Sequence, residues 1–218
     1  MSARAPLHTV STVDALVAAL RRRILDGDLS AGARLPEQEL TAAYGVARHT
    51  VRAALRALAH EGLIRIEPHR GARVAAPAPE DLRGLGELRI ALEVEAARLA
   101  LARHGGRLPE EVHAAARALR AAAAEAAGFA AVSEAHEALH HAVVRAGRSA
   151  RLTAAHAGLG GEVRLFLVQL RPAWDLGAVA DEHDRLLADL EGEAGPEALR
   201  AHIAASTDAL VAHLDSSG

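Results

Sequence analysis

Residues 45–62, GVARHTVRAALRALAHEG, combine a helical repeat of apolar side chains with positive charge at the beginning of the repeat. The apolar positions recur every three or four residues: Val51, Leu55 and Leu58. This spacing predicts a helix over roughly 47–60, in which Arg48 and Arg52 share one face near the N-terminal end. Positive side chains are unfavourable there because the helix macrodipole is positive at its N-terminus. The arrangement becomes favourable when an external anion lies against this end of the helix.

The segments on either side predict a small domain around this basic helix. Helical patterns occupy roughly 11–26 and 36–43, and Gly45 separates the second of them from the basic helix, as in a helix-turn-helix. After the basic helix, LIRIEPHRGARVA alternates apolar and polar residues and breaks at 68–71, which predicts a β-hairpin. Residues 1–76 are therefore predicted to form a winged helix-turn-helix domain whose basic helix enters the major groove of DNA.

The charge distribution favours contact between this domain and a polyanion. Residues 1–76 carry a formal charge of +4 and residues 77–218 one of −7, and all 25 basic residues are Arg. The alternative is a surface domain whose arginines are only solvated. The predicted wing and the charge asymmetry together favour double-stranded DNA as the partner.

The rest of the chain predicts a helical bundle, so that the fold class is mainly α. Residues 77–81 read as a linker and residues 82–218 as an all-α domain of six to seven helices. Aromatic residues make up only 2% of a chain that is 50% hydrophobic, which favours close helix packing over sheets. The helical patterns cover roughly 81–103, 109–126, 129–146, 149–170, 176–191 and 196–214.

Composition excludes several classes of protein. The chain has no cysteine, which rules out disulfides and thiolate metal sites and fits a reducing compartment. No segment is long and apolar enough to span a bilayer, and no secretory signal is recognisable at the N-terminus. We therefore expect a cytoplasmic protein with no membrane partner.

Residues 12–76 resemble the winged-helix domain of the GntR family of bacterial transcription regulators. The resemblance rests on ILDGDLSAGARLPEQELTAAYGVARHTVRAALRALAHEGLI and HRGARV. It implies that DNA is contacted by residues before, within and after the basic helix: Gln38, Arg48, His49, Thr50, Arg52, His69, Arg70 and Gly71. The family usually has Ser or Thr where this chain has Ala47, so a helix N-cap worth about 1 kcal/mol is missing and we expect weaker DNA binding.

Four histidines of the second domain occupy positions that favour a shared metal site. His136 and His140 are four residues apart on one apolar helical face, and two later helical segments carry His183 and His202 beside apolar neighbours. A lone histidine is more often a core or surface residue than a ligand. Histidines on three inward faces of one bundle are different, because bundle cores are where such sites form. The residues alone leave both interpretations open.

Residues 81–214 resemble FCD, the all-helical effector-binding domain of the FadR subgroup, in LGELRIALEVEAARLAL, EAHEALHHAVVRAGRSARL and DEHDRLLADL. Many members bind a divalent metal through one Asp and three His. The ligands implied here are His136, His140, His183 and His202. His136 replaces the usual Asp, which removes one negative charge and favours Zn²⁺ or Ni²⁺ over Mn²⁺. The expected effector is a small carboxylate seated on the metal.

Arg89, at a family position near the ligand cavity, has two possible roles. One is a bidentate contact with the carboxylate of the effector. The other is an ion pair with Glu93, which lies one helical turn further along. The sequence does not decide between them.

The leading hypothesis for function is a ligand-responsive repressor that binds an inverted-repeat operator as a homodimer. One alternative is a metal-dependent enzyme built on the helical bundle. Against it, the sequence has no Cys nucleophile, no His-Glu-x-x-His and no glycine-rich phosphate loop. Another alternative is a ligand sensor that uses no metal.

Overall fold

The structure is a computed structural model that describes residues 11–76, 78–125, 129–169 and 175–217. The chain divides into two compact units, Met1–Ala75 and Ala76–Gly218. Both are mainly helical, as the sequence predicts. The first unit contains α1 (Thr12–Leu25), α2 (Glu37–Tyr44), α3 (Arg48–His60), β1 (Ile64–Glu67) and β2 (Gly71–Val74).

The first unit is a helix-turn-helix with a wing. Gly45 ends α2 in the left-handed conformation, with φ of 62°, and so turns the chain toward α3. Ala47 occupies the N-cap of α3 without a side-chain hydrogen bond, as expected for a residue that replaces Ser or Thr. The apolar stripe of α3 is buried in the core of the unit, which includes Leu16, Leu20, Ile24, Val51, Leu55 and Leu58.

The predicted hairpin forms the wing. β1 and β2 pair antiparallel, from Ile64 opposite Val74 to Glu67 opposite Gly71. Positive φ occurs at His69 (62°) in the turn between them and at Gly71, the first residue of β2. Of the two, only the glycine adopts this conformation without strain. The chain before α2 lies along the other edge of β2, where the Leu35 N–H donates to the Ala72 carbonyl at 2.9 Å.

The second unit is a helical bundle. Its described residues form seven helices: α4 (Pro79–Arg103), α5 (Glu110–Ala124), α6 (Phe129–Ala146), α7 (Ala150–Ala157), α8 (Gly160–Gln169), α9 (Leu176–Leu190) and α10 (Pro196–Ser217). The main core lies among α4, α5, α6, α9 and α10 and is rich in Ala, Leu and Val. No helix in the described part of the chain is long and apolar enough to cross a membrane.

Two predicted boundaries in this unit differ from the structure. The single helix predicted over 149–170 is wrong, because α7 ends before Gly158 and α8 begins at Gly160. Three glycines within four residues weaken the helix there. The predicted linker 77–81 overlaps α4, which begins at Pro79 because proline suits the first turn and the Asp81 carboxylate accepts from the Ala78 N–H at 2.9 Å.

The end of α6 comes very close to α4, which yields a stability prediction. A Cβ added at Gly147 would lie 2.7 Å from the Ala96 carbonyl oxygen, a backbone atom that has little freedom to move. We expect Gly147→Ala to lower the free energy of unfolding by about 1–3 kcal/mol, as overpacking does. Urea denaturation followed by circular dichroism measures this change.

Gly84 provides the matched control for this prediction. It lies within α4, and a Cβ added there would meet no atom within 4 Å. We expect Gly84→Ala to stabilise the protein by up to about 1 kcal/mol through helix propensity. Equal stability of Gly147→Ala and the wild type would contradict the close packing of α4 and α6.

Candidate DNA interface and metal centre

The first unit has a groove with a volume of about 710 Å³ between α2, α3 and the wing, and we call the walls of this groove the basic surface. Arginines from several segments line this basic surface: Arg34, Arg48, Arg52, Arg56 and Arg70. The side chains of Arg48 and Arg52 are 70% and 51% exposed. Arg48 begins α3, so that the helix dipole adds to the positive potential at this point. The surface suits a polyanion.

Most residues predicted to contact DNA lie on or beside the basic surface. Those lining it are Gln38, Arg48, Arg52, Arg70 and Gly71, whereas His49 and His69 are exposed but outside its lining. Thr50 departs from the prediction. It is only 7% exposed because its position on α3 turns its side chain toward the interior, so we leave it out of the interface.

Two arginines of the basic surface were not singled out from the sequence. Arg56 follows Arg52 by one helical turn, the same spacing that pairs Arg52 with Arg48, so the helical repeat could have identified it. Arg34 lies in the loop before α2 and reaches the surface through the pairing of that loop with β2. No local pattern indicates this pairing.

Glu37, at the start of α2, connects the two arginines of α3. The Arg48 Nε donates to its carboxylate at 2.8 Å, and the Arg52 Nε donates to both carboxylate oxygens at 3.0 and 2.9 Å. The hydrogen bond from Arg48 lowers the pKa of the Glu37 carboxyl, with Arg52 acting in the same direction. The Glu37 carboxylate therefore neutralises part of the positive charge at the N-terminal end of α3.

The four predicted metal ligands of the second unit come together. α6 contributes His136 and His140, α9 contributes His183, and α10 contributes His202. Each offers a ring nitrogen, and these four nitrogens lie within 4.8 Å of one another. We call these four residues the histidine cluster.

Hydrogen bonds fix the tautomers of three of these rings. The Nδ1–H of His140 donates to the Glu93 carboxylate at 2.7 Å, and that of His183 donates to the Val179 carbonyl at 2.7 Å. The Nδ1–H of His202 donates to a carboxylate oxygen of Glu182 at 2.9 Å. Because these oxygens only accept, each Nδ1 carries a proton, and in the neutral ring Nε2 keeps its lone pair. The Arg89 Nη2 also lies 3.2 Å from the Nδ1 of His140.

Two of the three buried rings, His140 and His183, approach each other through their lone pairs. The Nε2 atoms of His140 and His183 are 3.2 Å apart. Burial lowers the pKa of His140 to about 4 and that of His183 to about 2, so neither ring is protonated near neutral pH. Two facing lone pairs repel unless a cation lies between them.

The donor set fits a divalent metal of the nitrogen-preferring kind. Zinc–imidazole bonds of about 2.0–2.1 Å in a tetrahedral site place neighbouring nitrogens roughly 3.3 Å apart, close to the 3.2 Å separation of His140 and His183. Burial also lowers the pKa of His136 well below its ordinary value, which keeps this ring neutral and available to bind. Cys ligands are absent from the sequence, and oxygen ligands are absent from the cluster itself.

Glu93 is a functional candidate that the sequence indicated only as a partner of Arg89. It is completely buried, and its carboxylate accepts from Arg89 Nε at 2.7 Å and contacts His156 Nε2 at 3.3 Å in addition to His140. Burial raises the pKa of the Glu93 carboxyl, but Arg89 and His140 outweigh this effect and hold the pKa well below its usual range. The buried residues of α4 recur every three to four positions and include Glu93, so this repeat in the sequence could have predicted that Glu93 is buried.

Two cavities adjoin the histidine cluster. The larger, of about 330 Å³, includes His136, His183, His202, Asp175 and Glu182 in its lining. The smaller, of about 30 Å³, is lined by Arg89, His136 and mainly apolar side chains of α4, α8 and α10. The ion pair between Arg89 and Glu93 forms, and Arg89 also lines a cavity.

Comparison with known proteins identifies both units. The family pattern described as "Bacterial regulatory proteins, gntR family" matches residues 12–74, and that of the FCD domain matches residues 85–215. A relative from Paenarthrobacter nicotinovorans, named "Probable D-xylose utilization operon transcriptional repressor", is 35% identical over 185 residues. The match covers 84% of this chain and 81% of the relative.

Solved structures agree with this result. A GntR transcriptional regulator from Rhodococcus sp. RHA1 has a TM-score of 0.72 at 25% identity, with 92% of this chain and 97% of that chain covered. A GntR family member from Pseudomonas syringae pv. tomato str. DC3000 is 31% identical, with a TM-score of 0.53 and coverage of 98% and 90%. These proteins are regulators, which rejects the metal-dependent enzyme as an alternative. The chain belongs to the GntR family and is a DNA-binding transcription regulator whose C-terminal part is an effector-binding FCD domain.

Proposed function

We propose that this regulator is a metal-dependent repressor of the FadR subgroup that responds to a small carboxylate in the cytoplasm. The name of the Paenarthrobacter nicotinovorans relative, a transcriptional repressor, supports the direction of regulation. The observation that carries the metal dependence is the 3.2 Å approach of the Nε2 atoms of His140 and His183, both of which present lone pairs.

The proposed DNA interface is the basic surface, presented twice by a homodimer. Two α3 helices related by a two-fold axis read the two halves of an inverted repeat in successive major grooves. Arg48 and Arg52 contact guanine edges or phosphates from α3, and Gln38 assists from α2. Around α3, the proposed contacts come from His49 and from the wing: His69, Arg70 and Gly71.

The proposed metal site uses His136, His140, His183 and His202. Bound there, Zn²⁺ or Ni²⁺ supplies a Lewis-acidic position for an anionic ligand, and an all-nitrogen donor set favours these ions over Mn²⁺. Among the outer residues, Glu93 and Glu182 orient the ligands through hydrogen bonds to their Nδ1 atoms.

The proposed effector is a carboxylate that binds beside the histidine cluster. The Nε–H of Arg89 donates to Glu93, and its Nη2 lies 3.2 Å from the Nδ1 of His140. Arg89 also lines the smaller cavity together with His136. We assign its remaining N–H groups to the effector, so that both roles considered for Arg89 hold together. The effector changes DNA affinity because it binds one arrangement of the dimer better than another.

Metal content tests this proposal. We expect the protein, expressed without a histidine tag, to contain about one zinc or nickel ion per chain by mass spectrometry, with little manganese. Removal of the metal with EDTA should abolish the effect of small carboxylates on DNA binding, measured by fluorescence anisotropy. Protein that binds no metal, or that responds equally well after EDTA treatment, would favour the alternative of a sensor without metal.

A further inference from the structure

The contact between Glu37 and the arginines of α3 leaves a specific part of each guanidinium available. In both Arg48 and Arg52, the group that donates to Glu37 is Nε–H. Within the described part of the chain, the terminal nitrogens of these two side chains have no acceptor. Each arginine therefore presents four N–H groups at its end, the edge that binds guanine O6 and N7 in a bidentate manner.

The position of Glu37 makes this contact more than a random surface ion pair. Its carboxylate receives two guanidinium groups at once, and its side chain is only 30% exposed, compared with 70% for Arg48. An isolated surface ion pair holds its partners weakly because ordering two long side chains costs entropy. One acceptor that orders two arginines at once reduces that cost for each arginine.

We propose that Glu37 is a specificity-determining residue that acts through Arg48 and Arg52. This inference rests on the proposed interface and assigns two effects to one carboxylate. By holding both Nε–H groups, Glu37 directs the arginine ends toward base edges and favours the operator. By placing a negative charge on the basic surface, it weakens the attraction to phosphates of any sequence.

Replacement of Glu37 by Gln separates operator binding from general DNA binding. The variant loses the charge, so the affinity for random duplex rises at least threefold. The slope of the logarithm of the binding constant against the logarithm of salt concentration steepens by up to about 0.9 for each subunit, which is the value for one additional phosphate contact. The two arginines lose their common carboxylate and keep only the single, weaker amide oxygen of Gln as an acceptor, so the affinity for the operator does not rise in parallel. We expect the ratio of operator to random-duplex affinity to fall at least tenfold.

Glu39 provides the matched control. It is an exposed residue of the same helix, and in the described part of the chain it makes no ion pair. Glu39→Gln removes the same charge, so operator and random-duplex affinities should rise together and keep their ratio within about twofold. Both duplexes are measured by fluorescence anisotropy across a salt series, with the operator taken from a random-sequence pool by selection with the wild-type protein.

Arg52→Ala, measured beside these variants, separates two kinds of failure. If Arg52→Ala leaves operator binding unchanged, the proposed interface is wrong. A second outcome is that Arg52→Ala weakens operator binding while Glu37→Gln and Glu39→Gln show the same ratio of operator to random-duplex affinity. In that case the interface is supported and the role of Glu37 is rejected. Circular dichroism confirms that each variant is folded. Glu37→Asp, which keeps the charge but shortens the side chain, should reduce operator affinity without the gain for random duplex.

Discussion

The His183→Ala variant should bind Zn²⁺ and Ni²⁺ at least about 100-fold more weakly than the wild type, because removal of one ligand breaks a site that depends on all four. The Nε2 of His183 lies within 3.2 Å of that of His140, so this ring is at the centre of the histidine cluster. Competition with a chromophoric chelator measures the two affinities.

His141→Ala is the control for this experiment. His141 is adjacent to His140 on α6, but its ring contacts His156 rather than the histidine cluster. We expect this variant to bind metal with wild-type affinity. Since His183 is buried, thermal denaturation of each metal-free variant accompanies the titration to show that the domain is folded. Equal metal affinity in the His183 and His141 variants would show that the cluster is structural.

Arg48→Ala and Arg52→Ala should each weaken operator binding by about 1–3 kcal/mol, roughly 5- to 150-fold. Both side chains are exposed on the basic surface, with their terminal nitrogens available to DNA. Fluorescence anisotropy with an operator duplex and a random duplex measures the effect. An arginine that reads a base affects the operator preferentially, whereas one that contacts only phosphate affects both duplexes alike.

Arg98→Ala is the matched control for the two arginine variants. Arg98 is an exposed arginine on a helix of the second unit, and it forms an ion pair with Glu95 much as Arg48 does with Glu37. Its removal changes net charge by the same amount without touching the basic surface. Equally weakened binding in all three variants would indicate a general effect of charge instead of a defined interface.

Two carboxylates next to the histidine cluster make the surroundings of the metal site more negative than the sequence predicts. Replacement of the usual Asp by His136 indicates a bound site with one more positive charge. In the structure, Glu93 and Glu182 each accept a hydrogen bond from a ring of the cluster. These carboxylates supply negative charge one step outside the ligands, although Arg89 offsets that of Glu93. Such outer carboxylates also raise the basicity of the imidazoles they contact.

Local repeats were sufficient to predict most of the fold. The spacing of Val51, Leu55 and Leu58 identified α3, and the alternation after it identified the wing. The prediction missed the break between α7 and α8, where three glycines weaken the helix. A Cβ added at Gly160 would lie 2.7 Å from a carboxylate oxygen of Glu137 on α6, so close packing between helices coincides with the interruption.

Contacts between distant residues limited the prediction of the sites. The positions of His136, His140, His183 and His202 favoured a shared site, and the resemblance to FCD domains implied that all four are metal ligands. The acceptors around them could not be predicted in this way. Glu93 is 47 residues from His140, and the contact depends on how α4 packs against α6. Glu37 was missed for the same reason, since only the turn at Gly45 places it beside α3.

The salt dependence of duplex binding tests most directly the claim that the basic surface is the DNA interface. For the wild type, the logarithm of the binding constant should fall linearly with the logarithm of salt concentration. In the Arg48→Ala, Arg52→Ala double variant, the slope should be shallower by about 0.9 for each phosphate that a subunit no longer binds. Arg98→Ala should keep the wild-type slope. A double variant with the slope and affinity of the wild type would contradict the account.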